Sequence, residues 1–445
     1  MSERLLSIGE SSVRRALSEG AEEAEAYLIS GRTIVVEVEK GEIKTAKTEV
    51  VEGIGIRSIV GHKVGFAYSV SLGRASESAV SSVKNAKASK PDPDIKGLPS
   101  PSKPSHVPGL FDKKVAELDV SDVVEYLKVM VEAASSKRGV VSVSGAMSAS
   151  HYTVAVVNSN GISVAEDRTS CSLYSFVAGR DGDKSSSGYE QNSGRFLREI
   201  DPEWVGSQAG ELASMLLDAV RAETGQYALI IDPLTANAFL GFLVSSAANA
   251  ENVIYGRSFL TGKLGETIAR GEITLIDDGT LPEGEGSAGF DGEGVPTQRT
   301  PIISEGRLVN YIHNFYTAGK MGVETTGNAS RSYNSPPSVG SHNIVLEADR
   351  LRLSRDDLLE VKRGVLLKLT MDRPNLANGE FSGMVYMGFL VENGEIKAGI
   401  KEASFGLHLL DFLKGIDAVG DDVRRVGTVV TPSIRVRSVR IAGPS

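Results

Sequence analysis

"GVVSVSGAMSASHYTVAVVNSNGISVAEDRTSCSLYSFVAGRDG", residues 139–182, decides how the first half of this chain folds. It consists of strand-like runs rich in Val, Ser, Thr and aromatic residues. "NSNG" at 158–161 falls between "YTVAVV" and "ISVAED" and predicts a hairpin turn, because Asn and Gly accept the backbone conformations that reverse a strand. The same design precedes it. "VEVEKGEIKTA" and "RSIVGHKVGFA" each set a short Gly turn between alternating runs, so two further hairpins are expected.

Helical spacing surrounds these strands. Residues 3–19 place Leu5, Leu6, Ile8, Val13 and Leu17 on one face, with Gly20 as a stop. "GRASESAVSSVKNAKAS", "VSDVVEYLKVMVEAASSK" and "EWVGSQAGELASMLLDAVRAE" repeat the pattern. The expected class is α+β, with N-terminal α/β layers in which helices pack on antiparallel sheets. Six prolines in "KPDPDIKGLPSPSKPSHVPG", residues 90–109, mark an extended connection. The expected units are an N-terminal α/β domain over 1–95, a Pro-rich linker over 96–109 and a middle α/β domain over 110–226. A large mainly-β domain, barrel-like or a sandwich, follows over 227–445.

A chain of 445 residues is too long for one hydrophobic core. Its net charge of −9 argues against a nucleic-acid surface. Arg424, Arg425, Arg435, Arg437 and Arg440 cluster locally, but the alternation in "SIRVRSVRI" reads as a solvated strand face. The one cysteine, Cys171, sits in a strand-like run as a packed residue, and no disulfide can form within the chain. No stretch approaches the ~18 apolar residues of a membrane span. A soluble cytoplasmic protein is expected.

Chemistry is sparse. "DPLTANAFLGFLVSSAANAEN", residues 232–252, reads as a helix capped by Asp232 with Pro233 at its first position. It is apolar or small on nearly every side, which predicts burial all round. It holds no His, Cys, Asp or Glu between Pro233 and Ala250. The six histidines, His62, His106, His151, His313, His342 and His408, show no metal-ligand spacing. There is no G-x-S-x-G elbow and no P-loop.

The distinctive stretch is "GRSFLTGKLGETIARGEITLIDDGTLPEGEGSAGFDGEGVPTQRT". Asp277, Asp278, Asp291 and Glu293 are ligands for a hard cation by type, yet their spacing matches no calcium loop. Asp-Asp-Gly279 and Asp-Gly-Glu-Gly read as turns with Asp caps. "TTGNASRS" at 325–332 reads first as an ordinary polar loop, the alternative being a loop that holds a peptide backbone or a carboxylate with Arg331 as its charge.

With "SFLTGKLGE", "DDGTLPEGEGSAGFDGEGVPTQRT", "IISEGRLVNYIHN" and "MGVETTGNASRS" the sequence closely resembles the TldD/TldE (PmbA) family. "EGIGIRSIVGHKVGFAYS" and "VVNSNGISVAEDRT" extend that resemblance over nearly the whole chain. It implies a two-subunit intracellular zinc metallopeptidase acting on short or unfolded peptides. The TldD-type subunit carries H-E-x-x-x-H on a helix just upstream of the "SFLTGKLGE" equivalent, plus a cysteine near the C-terminus. Those positions fall here on Gly241, Phe242 and Ser246, and the region of Ala418 to Gly420 has no cysteine.

The resemblance therefore implies a TldE/PmbA-type subunit without catalytic residues or metal of its own. Zinc is expected in a TldD-like catalytic partner, and a homodimer in isolation is the alternative. The peptide would add as a strand to a sheet edge. Asp277, Asp278, Gly279, Asp291, Glu293, Thr326, Gly327, Asn328 and Arg331 would border the chamber or the subunit interface. Two rival functions stay open. One is an independent hydrolase with a different metal site (Asp277, Asp278, Glu293, His313). The other is a regulatory protein-binding module of the gyrase-modulator type. No nucleic-acid or membrane partner is expected.

Overall fold

Six strands in the computed structural model, which describes residues 1–443, build the first sheet. They are β1 (Glu23–Glu39), β2 (Glu42–Val60), β3 (Lys63–Ser69), β4 (Val140–Asn158), β5 (Ser163–Asp181) and β6 (Lys184–Gly194). Their order is β3-β2-β1-β4-β5-β6, antiparallel throughout. All three expected hairpins form. At the third, the Asn158 carboxamide oxygen accepts the N–H groups of Asn160 at 3.0 Å and Ile162 at 2.9 Å. That local bond fixes the turn, and Gly161 supplies the positive φ of 107°.

β1 pairs with β4 from Glu25↔Asn158 to Val38↔Gly145, so one sheet joins the strands on both sides of the Pro-rich stretch. That stretch is itself tied down. Leu98 is buried, Asn158 Nδ2 donates to the Pro99 carbonyl at 2.9 Å, and Ser105 N donates to the Gly289 carbonyl at 2.8 Å.

Strand period dictates the layering. On β1, Ala24, Ala26 and Leu28 pack with α1 (Ser2–Ser18) and α2 (Ala75–Ala88). Further along the same face, Ile34, Val36 and Val38 join the core beneath α3 (Lys113–Glu117), α4 (Val120–Ser135) and α5 (Pro202–Leu216). The odd-numbered side chains of β1 point the other way, toward the C-terminal unit, where Tyr27 packs with Phe290. Close approach seals the helix-covered face. A Cβ on Gly188 would lie 1.8 Å from the Ala209 carbonyl of α5.

The C-terminal unit has two main sheets, as a mainly-β domain should, with a helical core element between them. The nine-stranded sheet is centred on Gly225–Ile231, parallel to Arg363–Leu369 and antiparallel to Ile434–Ala442. The six-stranded one is centred on Thr274–Asp278 and Asn343–Glu347. α6 (Pro233–Phe242) lies in the core between them, with Asp232 accepting from Leu234 N at 3.1 Å as its cap. Phe239 meets the rings of Phe381 at 4.8 Å and Phe412 at 5.1 Å.

Two expectations need correction. The 232–252 segment is not buried all round: Asn237, Ala238, Gly241, Phe242, Ser245 and Ser246 are half-exposed along one side. It is also interrupted by a π turn over Leu243–Ala247, with Ala248 N bonded to the Leu243 carbonyl at 2.8 Å. The arginine cluster is not simply a solvated face. Arg437 and Arg440 are exposed, but Arg435 is half-buried with its guanidinium on Asp417 at 3.1 Å. Arg424 bonds Glu190 at 2.7 Å and Arg425 bonds Glu199 at 2.9 Å, tying the C-terminal unit to the first sheet. Among the described residues no helix is long and apolar enough to cross a membrane.

Gly188→Ala is expected to lower stability by about 1–3 kcal/mol through forced separation of β6 from α5. Gly406→Ala, on a strand where a Cβ meets nothing within 4 Å, should leave it unchanged. Chemical denaturation of the two variants checks the contrast.

Candidate functional site

Each carboxylate of the acidic block is held separately. Asp277, at the end of its strand, is fully buried, and its oxygens accept from Asn328 Nδ2 and His342 N, each at 2.6 Å. Asp278 accepts from the N–H and hydroxyl of Thr280, both at 2.8 Å, a turn closed by its own side chain. Asp291 accepts three backbone N–H groups: Glu293 at 2.9 Å, Val295 at 3.0 Å and Ala329 at 2.9 Å. Burial, and then the neighbouring Glu293 carboxylate, push Asp291 up to about 8, while those three donors pull the other way. Gly279 can carry no side chain, since a Cβ there would sit 2.5 Å from Thr297.

The "TTGN" loop is part of the same construction. Thr326 Oγ1 reaches Asn328 Oδ1 at 2.6 Å, and Gly327, with φ 68°, turns its carbonyl toward His342 Nε2 at 2.8 Å. The Arg331 side chain, expected as the charge of an open loop, is instead wholly buried and paired with Glu25 of β1. Glu25 also holds Arg57 of β2 at 3.0 Å, and Arg57 reaches Glu293 at 2.9 Å. The second oxygen of Glu293 accepts Phe315 N at 2.9 Å. Burial works against the charge on Arg57, but Glu25 and Glu293 on either side raise its pKa. Burial lowers that of Arg331, whose guanidinium lies over the Tyr27 ring at 5.2 Å.

Glu25 and Arg57 are buried, paired charges that motif reading passes over. Their signal was available: both are charges in runs, "AEAYLIS" and "GIGIRSIV", that are otherwise apolar or small. Arg195 is a third. It is 2 % exposed and donates to the carbonyls of Thr169, Gly284, Glu285 and Ser287 at 2.6–3.1 Å.

The expected ligand types therefore do not converge. No group of three His, Cys, Asp or Glu among the described residues is placed to hold a metal. Gly241, Phe242 and Ser246 do share the half-exposed side of the 232–252 segment. On a regular α-helix, residues five apart point about 140° away from each other. The π turn that follows Phe242 widens the helix where i and i+5 would have to meet. The spatial frame for a five-residue pair is thus present, but a glycine, a phenyl ring and one serine hydroxyl do not fit zinc, which takes imidazole, thiolate or carboxylate. Ala418 and Val419 are buried in a strand paired with Ile434–Val436. Cys171 is buried too, its thiol pushed up to about 12 by burial, so it is an inert packing residue.

His313, 5 % exposed, has an Nδ1 without a partner, and burial pushes its pKa down to about 4. It sits against a shallow cavity of about 340 Å³ with Thr300 and Thr326. A histidine with its pKa lowered from 6.5 contributes stability above pH 6.5 that is lost as pH falls toward 4, roughly 3 kcal/mol in all. His313→Gln should flatten that part of the stability–pH profile, measured by denaturant titration. Glu25→Gln leaves Arg331 without a carboxylate and Arg57 with Glu293 alone, and is expected to cost about 3–5 kcal/mol. Glu39→Gln, at an exposed pair with Lys44, should leave the denaturation midpoint where it is.

With this geometry in hand, comparison with known proteins is informative. Residues 24–89 match the model for PmbA/TldA metallopeptidase domain 1, 113–217 that for the central domain and 224–443 that for the C-terminal domain. A metalloprotease of Methanothermobacter thermautotrophicus is 28% identical, covering 97% of this chain and 98% of its own length. An uncharacterized protein of Methanocaldococcus jannaschii is 30% identical, covering 97% of both chains. The crystal structure of TldE from Thermococcus kodakarensis superposes with a TM-score of 0.87 at 26% identity, over 98% of this chain and 99% of that one. All three domain models fall in order along one chain, and the chain belongs to the PmbA/TldA metallopeptidase family.

Proposed function

We infer that this chain is the non-catalytic subunit of a zinc metallopeptidase that acts on short or unfolded peptides. One observation carries the reading. Where the resemblance aligns the two imidazoles and the general base of a catalytic subunit, this chain has Gly241, Phe242 and Ser246. A metallopeptidase needs ligands for the ion and a base for its water, and these side chains supply neither. The likeness to Thermococcus TldE over nearly the whole length supports the same assignment.

In this role the chain's own residues do structural work. The Asp277–Asn328–His342 set fixes the loops within the C-terminal unit, and the Glu25–Arg57–Glu293–Arg331 set holds them against the first sheet. Rigid loops give a catalytic partner a preformed surface and lower the ordering cost of assembly. Zinc belongs to that partner, and a reducing cytoplasm suits a chain whose one cysteine is buried and unpaired.

Co-expressed with a family member that carries H-E-x-x-x-H, the chain is expected to co-purify with it. Metal analysis should find roughly one zinc per pair, and the pair should cleave an unfolded peptide. Alone, the chain should hold no stoichiometric zinc and cleave nothing. Gly241→His with Ser246→His should not restore cleavage, because the third ligand and the base are still missing. Zinc and hydrolysis in the lone wild-type chain would refute the reading.

A further inference from the structure

The face of the first sheet that receives the C-terminal unit at Tyr27 is left uncovered at its far edge. There β5 and β6 set Tyr174 opposite Gln191 and Phe176 opposite Tyr189. The four side chains form one patch, with the Tyr174 and Tyr189 rings 6.2 Å apart. Tyr174 is 42% exposed and Phe176 38%. Across from them stands the half-exposed side of α6, with Asn237 and Ala238, and beside it the 369–373 segment and Tyr386. A groove of about 590 Å³ separates these walls, a volume typical of ligand sites.

Three polar groups of the groove are not spent on the fold, although Thr235, Thr370 and Asp372 beside them are. The Asn237 carboxamide makes no hydrogen bond among the described residues. Gln191 uses its Oε1 to accept from Tyr189 OH at 3.1 Å, which leaves its Nε2 as a free donor. Arg373 is exposed and has no ion pair among the described residues. Its neighbour Asp372 does not neutralise it by contact, since Asp372 Oδ2 accepts Met384 N at 2.7 Å. Aromatic walls suit apolar side chains, two carboxamides suit a peptide backbone, and an unpaired guanidinium suits a carboxylate.

We propose that this groove holds a short extended peptide, its apolar side chains between the Tyr174–Phe176 patch and α6, and its terminal carboxylate on Arg373. That the occupant is a peptide rests on the function proposed above; the open aromatic face and the unpaired arginine do not. The contact is with a sheet face rather than a sheet edge. Gly241 lies one helical turn beyond Asn237 and Ala238 on the same side of α6. A peptide bound here therefore runs toward the position where a catalytic subunit keeps its metal.

The test titrates the full-length chain calorimetrically with the pentapeptide Ala-Phe-Leu-Ala-Phe as free acid and as C-terminal amide. The free acid should bind saturably, and the amide at least about fivefold more weakly. Ala238→Trp, which fills the groove from a half-exposed position, should weaken both by more than about tenfold. Arg373→Gln should make acid and amide equal. No saturable binding, or binding indifferent to both substitutions, overturns the proposal. A chain that pairs with its zinc-bearing partner yet binds no peptide sinks this proposal alone. Peptide binding by a chain that pairs with no such partner sinks the subunit reading alone.

Discussion

Four buried charges decide how the two halves of this molecule sit together. Glu25 and Arg57 come from neighbouring strands of the first sheet, Glu293 and Arg331 from loops of the C-terminal unit, and each acid contacts at least one guanidinium. None of the four has more than marginal contact with water. Such a set is a poor source of net stability, because desolvation offsets much of the attraction. It is a strong source of geometric definition. Any shift of the loops against the sheet would strand a charge in an apolar setting, and the cost of that is steep.

The loops themselves obey the same logic. Asp277, Asp278 and Asp291 look like cation ligands by composition, but each accepts two or three hydrogen bonds from amide, hydroxyl or backbone donors close at hand. The acidic, glycine-rich block is thus a frame. Glycines let backbones approach, and aspartates take up the N–H groups that tight turns expose. Within this frame α6 keeps a buried aromatic side for packing and a half-exposed side, small residues mixed with polar ones, for the groove. A helix without chemistry occupies this position because its Phe239 side is core, shared by both sheets of the C-terminal unit.

Much of the fold was legible in advance. Turn residues at 40–41, 61–62 and 158–161 announced the hairpins, and Asp232–Pro233 announced the start of α6. These signals are local, so they survive without tertiary context. The site was less legible. Gly241, Phe242 and Ser246 could be located only through resemblance, since blank positions carry no signal of their own. Arg331 was visible as a charge, but its burial depends on Glu25, 306 positions earlier in the chain. The arginines of the last strand alternate as a solvated face would, yet Asp417 draws Arg435 inward.

The amino-acid sequence by itself determined the strands, turns, caps and amphipathic faces, because period and side-chain chemistry act over a few residues. It also determined that no imidazole, thiolate or carboxylate stands on the exposed side of α6. Only the tertiary structure decided which charges would be buried partners, which aspartates would be consumed by turns, and which aromatic face would remain uncovered. Those outcomes depend on long-range register between β1 and β4 and on the docking of the C-terminal loops. Pairing at a distance has no local signature, since the same glutamate reads identically whether water or an arginine waits for it.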